Sequence, residues 1–238
     1  MAENGHLTIG GRHVPLRDQV LQALRAAIVN GDYPPGLRLT EDRLAADFGV
    51  SRNPVREALR VVEAEGFVVV LPRRGAVVST PTGSTIADMF AVRARLEPLA
   101  ARQAAERATG DDVAGLHAML DEAREATDAQ DFPRISGLNS ALHLRVIEIS
   151  GNRWLSSLAT ALYLHVQWVF RLGVAERAPH SWIEHIALVE AIGTGDPDEA
   201  EAAALAHVSA ASSAALENAR TGYPDSATGY GGSQRPHA

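Results

Sequence analysis

Val50-Ser51-Arg52-Asn53-Pro54-Val55-Arg56-Glu57-Ala58-Leu59-Arg60 decides how the first third of this chain folds. Asn53 is a capping residue, and Pro54 suits the first helical position, where its missing N–H costs nothing. Val55, Leu59 and Val62 then recur at helical spacing and mark a buried face. Arg52, Arg56 and Arg60 fall four residues apart beside that face, so their guanidinium groups share one exposed edge. Upstream, Thr40 caps a short helix through Leu44, Ala45 and Phe48 that stops at Gly49. Before it, Val20, Leu21, Leu24, Ala27 and Ile28 form an amphipathic helix ending at Asn30-Gly31, ahead of the turn Tyr33-Pro34-Pro35-Gly36. Downstream, Gly66 ends the third helix. The β-branched runs Phe67–Leu71 and Ala76–Val78 flank Pro72-Arg73-Arg74-Gly75 and predict a hairpin. Two helices, a glycine turn, a third helix and a two-stranded wing make a winged helix-turn-helix.

The placement of arginine gives that fold its chemistry. Guanidinium groups on one helix edge reach phosphates, or the O6/N7 edge of guanine. Ser51 and Asn53, beside the free N–H groups of a helix N-terminus, add phosphate donors. Arg73, Arg74 and Gly75 form the hairpin tip, placed to touch backbone or minor groove. An arginine row alone is ordinarily a solvated face. A capped helix-turn-helix before it and a basic wing after it favour double-stranded DNA.

The 238 residues suit one to two domains, and 46% hydrophobic content supports a core. Aromatic residues make up only 5%, which leaves packing to Ala, Leu and Val and favours helices. The absence of cysteine excludes disulfides, thiolate metal sites and a cysteine nucleophile. The net charge of −7 is unevenly spread: the first 80 residues hold ten arginines against nine acids, the remainder twelve against twenty. Clustered positive charge lets an acidic protein bind nucleic acid. Met1 to Gly11 has no apolar run of a secretory signal, and nothing approaches a membrane span, so a cytoplasmic protein without membrane partners is expected.

Four segments follow from composition: a DNA-binding domain over 1–79, a linker over 80–84, a helical domain over 85–217 and a disordered tail over 218–238. The helical domain reads as an all-α antiparallel bundle of about six helices near 85–108, 111–128, 133–150, 153–175, 181–193 and 197–217. The whole chain is therefore mainly α. His6, His13 and His237 lie near the termini, and His117, His165 and His180 have no partner at ligand spacing. Asn139 and His143, four apart, share a helix face. With His185 and His207 on later helices, they can point inward together. Three imidazoles and an oxygen suit zinc or another first-row divalent ion, although spacing alone favours scattered core histidines.

The run from Gly31 to Glu41, then Leu44-Ala45 and Val50 to Arg60, closely resembles the GntR family of bacterial transcription regulators. Arg93-Ala94-Arg95-Leu96-Glu97, Asn139 to His143 with Gly151-Asn152, Glu184-His185-Ile186 and Gly195-Asp196 leading to His207-Val208 resemble the FCD effector domain of the FadR-like subgroup. Six helices are similar to its VanR-like branch. The resemblance implies that the third helix enters the major groove and that Asn139, His143, His185 and His207 hold zinc or nickel beside a pocket for a small organic acid. Arg93 begins the R-x-x-LE motif and is a candidate carboxylate contact, or an ion-pair partner of Glu97. In the family Asp occupies the position of Asn139, so the ion's charge is left uncompensated by a protein ligand. The expected protein is a homodimeric, ligand-responsive repressor on a palindromic operator, and no enzyme. The alternatives are a metal-dependent enzyme, against which stands the lack of a carboxylate at recognisable spacing from the histidines, and a metal-sensing regulator.

Overall fold

The computed structural model describes residues 14–72 and 75–222. These residues separate into two compact units: 14–28 together with 36–79, and Val29–Pro35 together with 80–222.

In the first unit α1 (Leu16–Val29), α2 (Glu41–Phe48) and α3 (Arg52–Ala64) surround a core of Leu24, Ile28, Leu44, Val55, Ala58 and Val62. Thr40 caps α2 by accepting from Arg43 N at 3.2 Å. Gly49 ends it with φ +65, a left-handed conformation that favours glycine and sets the tight turn into α3. The cap of α3 is Ser51, two residues earlier than expected, so Asn53 and Pro54 lie inside the first turn. Pro54 is tolerated there because no helical acceptor precedes it. Leu59 is half-buried, and Ala58 takes the core position assigned to it from sequence.

β2 (Val68–Leu71) and β3 (Gly75–Val78) form the expected hairpin, paired Val68 to Val78 through Leu71 to Gly75. A third strand, β1 (Arg38–Leu39), pairs with β3 and gives the order β1-β3-β2. Two residues are too short for a period-2 signal, which is why the sequence did not show it. Gly75 has φ +73, which the turn demands and which bars most side chains. The expected wing contacts Arg73 and Arg74 lie outside the described residues.

The second unit holds six helices: α4 (Gly83–Ala105), α5 (Gly110–Asp128), α6 (Phe132–Ile149), α7 (Arg153–Arg171), α8 (Val174–Thr194) and α9 (Pro197–Thr221). Four differ from expectation. α4 opens inside the predicted linker, because Thr82 and Thr85 form a reciprocal capping box around Gly83 and Ser84. α7 ends at Arg171, and the break falls at Leu172-Gly173. α8 instead runs through Pro179, whose ring sits at the exposed side of its second turn. α9 continues to Thr221, beyond the predicted start of the tail. α4 packs along α9, α6 on α7 and α8 on α9, around a core built largely of Ala, Leu, Ile and Val. Among the described residues no helix is long and apolar enough to cross a membrane.

Candidate nucleic-acid interface and metal centre

Ser51, Arg52, Asn53, Arg56 and Arg60 all lie exposed at or along α3. Three of them already hold a carboxylate. Both Arg56 Nε and Arg56 Nη2 donate to the Glu41 carboxylate, at 2.7 Å each. Arg52 is ion-paired with Asp42, and Asn53 Nδ2 donates to Glu57 at 3.2 Å. Ser51 makes no side-chain cap bond. The Arg56 fork holds the Glu41 carboxyl below its ordinary range, with burial opposing and Arg52 and Arg60 assisting. An open groove of about 470 Å³ runs between α3 and the wing, with Arg38, Arg56 and Arg60 among its lining residues. Arg38 was missed from sequence because it belongs to the unforeseen strand β1, which brings it to the groove that Arg56 and Arg60 also line.

The second site lies in the bundle. His143 on α6, His185 on α8 and His207 on α9 are at most 2% exposed. His185 Nε2 stands 3.2 Å from His143 Nε2 and 3.4 Å from His207 Nε2. Each of the three offers a nitrogen within 4.8 Å of the others. Two nitrogens bound tetrahedrally to zinc, each about 2.0–2.1 Å away, would be about 3.3 Å apart. The spacing thus fits a small divalent ion.

Tautomers support the same fit. Glu97 Oε2 lies 3.1 Å from His143 Nδ1, and Glu184 Oε2 lies 2.7 Å from His207 Nδ1. Each carboxylate draws a proton onto Nδ1, which leaves the Nε2 lone pair facing the centre. Burial, aided by the neighbouring histidines, pushes His185 well below the usual histidine range. Burial also takes His207 down to about 4, against the pull of Glu184. Those two rings are neutral near pH 7. Neutral nitrogens converging in a buried space repel through their lone pairs unless a cation or a proton lies between them, and His185 Nδ1 has no hydrogen-bond partner.

Asn139 is 2% exposed on the turn of α6 before His143, and its Oδ1 accepts from Ser181 Oγ at 3.4 Å. The structure thus brings the three histidines together and places Asn139 one turn before His143, against Ser181 of α8. It corrects one expectation: carboxylates do accompany the histidines, but each is bound to a histidine and an arginine and is not a free base. Arg93 Nε pairs with Glu97 at 2.5 Å, and Arg177 Nη2 pairs with Glu184 at 2.5 Å. Burial pushes the Glu97 carboxyl up, but Arg93 and His143 outweigh it and hold Glu97 well below the ordinary range.

The two arginines share more than this pairing. Arg93 is 2% exposed and Arg177 8%, while Arg93 Nη2 and Arg177 Nε have no hydrogen-bond partner. Both line a cavity of about 30 Å³, together with Phe90, Val169, Phe170 and Ala214. Of the two sequence readings for Arg93, the structure shows the ion pair with Glu97. Glu184 and Arg177 were missed. Glu184 abuts His185 in sequence and so should face elsewhere, and only the packing of α8 on α9 carries its carboxylate to His207.

A three-strand winged helix with paired arginines on α3, followed by a six-helix bundle holding a buried histidine centre, defines a class: DNA-binding regulators with a helical second domain. Residues 16–78 match the model of bacterial regulatory proteins of the gntR family, and residues 88–210 match that of the FCD domain. The chain is 31% identical to the galactonate operon transcriptional repressor of Escherichia coli (strain K12), over 79% of this chain and 91% of that protein. It is 29% identical to the uncharacterized HTH-type regulator YdhC of Bacillus subtilis (strain 168), over 79% and 86%. Two solved structures share the fold with a TM-score of 0.72 each. Escherichia coli McbR/YncC has 22% identity and covers 83% of this chain and 95% of that one. A GntR regulator from Rhodococcus sp. RHA1 has 24% identity over 84% and 97%. This chain belongs to the GntR family of bacterial transcription regulators, with a FadR-like FCD domain. Its relatives and its fold are those of regulators and not of enzymes.

Proposed function

We propose that this regulator is a ligand-responsive repressor that holds a palindromic operator as a homodimer and releases it when a small carboxylate binds the helical domain. Residues 1–79 serve as the DNA-binding domain, and the bundle from α4 to α9 as the effector and dimerisation domain. One helix-turn-helix reads only a half-site, which calls for a two-fold dimer. Ser51, Arg52, Asn53, Arg56 and Arg60, with Arg73, Arg74 and Gly75 of the wing, are the DNA contacts. Relatives named as repressors support the sign of regulation.

Asn139, His143, His185 and His207 are the residues that would hold a divalent ion, zinc or nickel, since imidazole nitrogen suits both. Such an ion supplies a Lewis-acid position for an oxygen anion. Glu97 and Glu184 fix the tautomers of His143 and His207, and Arg93 supplies a guanidinium N–H for the effector carboxylate. The observation that carries this reading is the convergence of three buried Nε2 atoms beside a buried guanidinium with a spare donor. Binding shifts the dimer only through the effector's differential affinity for its two states.

The test is metal content together with operator release. Protein purified without chelator or His-tag should carry one divalent ion per chain and should leave its operator when a matching organic acid is added. A chain that is metal-free and takes up no zinc at micromolar concentration overturns the centre. A second reading has one observation in its favour. The cavity beside the arginines has room for about one water, which suits a metal sensor that needs no organic ligand. Operator release by metal alone would select it.

A further inference from the structure

Two acids sit among the arginines that are proposed to meet DNA, and a polyanion should disfavour them there. Glu41 and Asp42 form the first turn of α2, fixed in place by the Thr40 cap. Glu41 does not merely lie near Arg56. It accepts from Nε and from Nη2 at 2.7 Å each, the fork geometry that locks the plane of a guanidinium. A guanidinium has two donor edges, the Nε/Nη2 side and the Nη1/Nη2 end. The fork occupies the side and leaves the Nη1 end outside it. Bidentate reading of guanine O6 and N7 needs one whole edge presented in a fixed plane.

We propose that Glu41 is a positioning residue for base readout, which fixes the plane of Arg56 so that its end edge meets a guanine. Asp42, ion-paired with Arg52, repeats the device one residue along α2. This inference rests on the proposed docking of α3 in the major groove. An unrestrained arginine on a helix surface must give up rotamer freedom when it binds a base, and a buttressed one has already done so. The carboxylate charge also weakens contact with phosphate everywhere, so Glu41 costs non-specific affinity while it raises specific affinity. A residue that raises one and lowers the other increases discrimination on both counts.

The two alternatives make opposite forecasts. If Glu41 only competes with DNA for Arg56, removing its charge should strengthen binding to every sequence. If the pair is an idle surface contact, removing it should change neither. The full-length protein is used to enrich duplexes from a randomised DNA pool, and affinity is then measured for the enriched duplex and for a scrambled duplex of equal length. For Glu41→Gln, specific affinity is expected to fall by about tenfold, while affinity for the scrambled duplex rises by a few-fold. In an Arg56→Ala background the same substitution should raise affinity for both duplexes alike, because there is no guanidinium left to position. A merely structural role for Glu41 would move both affinities downward together in either background. Specific affinity that rises in step with the scrambled duplex, or stays as it was, overturns the inference and leaves the docking of α3 standing. Failure of the unaltered protein to enrich any sequence overturns the docking itself, and the inference with it.

Discussion

The protein places one chemical unit, an arginine held by a glutamate, in opposite surroundings. On α3 the Arg56 side chain is half exposed and its partner Glu41 a third exposed. In the bundle Arg93 and Glu97 are 3% and 5% exposed. Water screens the first pair, so loss of either partner costs folding little, while the intact fork sets the plane of the Arg56 guanidinium. The second pair has no water to fall back on. Each charge there is stable only while its partner is present, and the carboxylate has a second obligation to His143. Exposure therefore separates the two pairs: the α3 pair adds little to folding, whereas Arg93 and Glu97 depend on each other and Glu97 also holds a histidine.

Breaking the buried pair should have the largest effect. Glu97→Gln leaves the Arg93 guanidinium buried without a counter-charge and removes the acceptor that sets the His143 tautomer. A loss of about 3–5 kcal/mol is expected in urea unfolding of the metal-free chain. Replacing both partners, Arg93→Met with Glu97→Leu, should recover much of that, because no unpaired charge remains. Equal instability of the single and double variants would show that packing, not charge, explains the single. Next in size is the histidine centre itself. At zinc about a hundredfold above its dissociation constant, binding should stabilise the chain by about 2.7 kcal/mol. EDTA should remove that gain from the unaltered chain and change nothing in His185→Ala, which lacks the nitrogen common to both short Nε2 distances. A thermal shift with EDTA that is the same in both proteins would place the metal elsewhere.

How much of this the sequence disclosed follows the range of the interactions involved. Thr40, Gly49 and the α3 arginines were legible because caps, turns and helical spacing act within a few residues. The linker around Thr82 misled for a related reason. Thr-Gly-Ser is a common turn composition, and its capping box is visible only once the Thr85 hydroxyl is known to reach back. Pro179 reads as a break because proline opposes helix interiors, yet α8 starts five residues earlier and absorbs it near its N-terminal end. The four candidate ligands were placed through family resemblance, since His143, His185 and His207 stand on three helices. Glu184 and Arg177 were not foreseen. Their roles depend on the rotation of α8 against α9, which no local pattern encodes.

Asn139→Asp sharpens the comparison from the metal side. It adds a negative charge where Glu97 and Glu184 already reach the centre through imidazoles. An added carboxylate at the centre should tighten zinc by about tenfold, roughly 1.4 kcal/mol. It should also weaken a carboxylate effector, because both anions compete for the same ion. The expected gain is smaller than the full value of a new charge for two reasons. Protein anions are already nearby, and the Ser181 hydroxyl that now donates to Asn139 Oδ1 would go on drawing charge from the new carboxylate. Calorimetric titration of zinc into both metal-free proteins measures the first effect, and an effector carboxylate the second. Stronger acid binding by the Asp variant would contradict the electrostatic account of this pocket.

The smallest effect is expected where the same chemical change is made on the surface. Glu41→Gln and Glu97→Gln each remove one negative charge from an arginine pair, yet their consequences for folding should differ by an order of magnitude. At Glu41 the released Arg56 guanidinium simply turns to water, and the amide can still accept one N–H. The helix is not threatened either: α2 keeps its Thr40 cap, and Asp42 remains in the first turn to face the helix dipole. The urea midpoint of Glu41→Gln should therefore match that of the unaltered chain within error, and salt should hardly alter the match. A clear loss of stability would mean that the α2 and α3 pairing is structural, and that the division between exposed and buried pairs does not hold on this face.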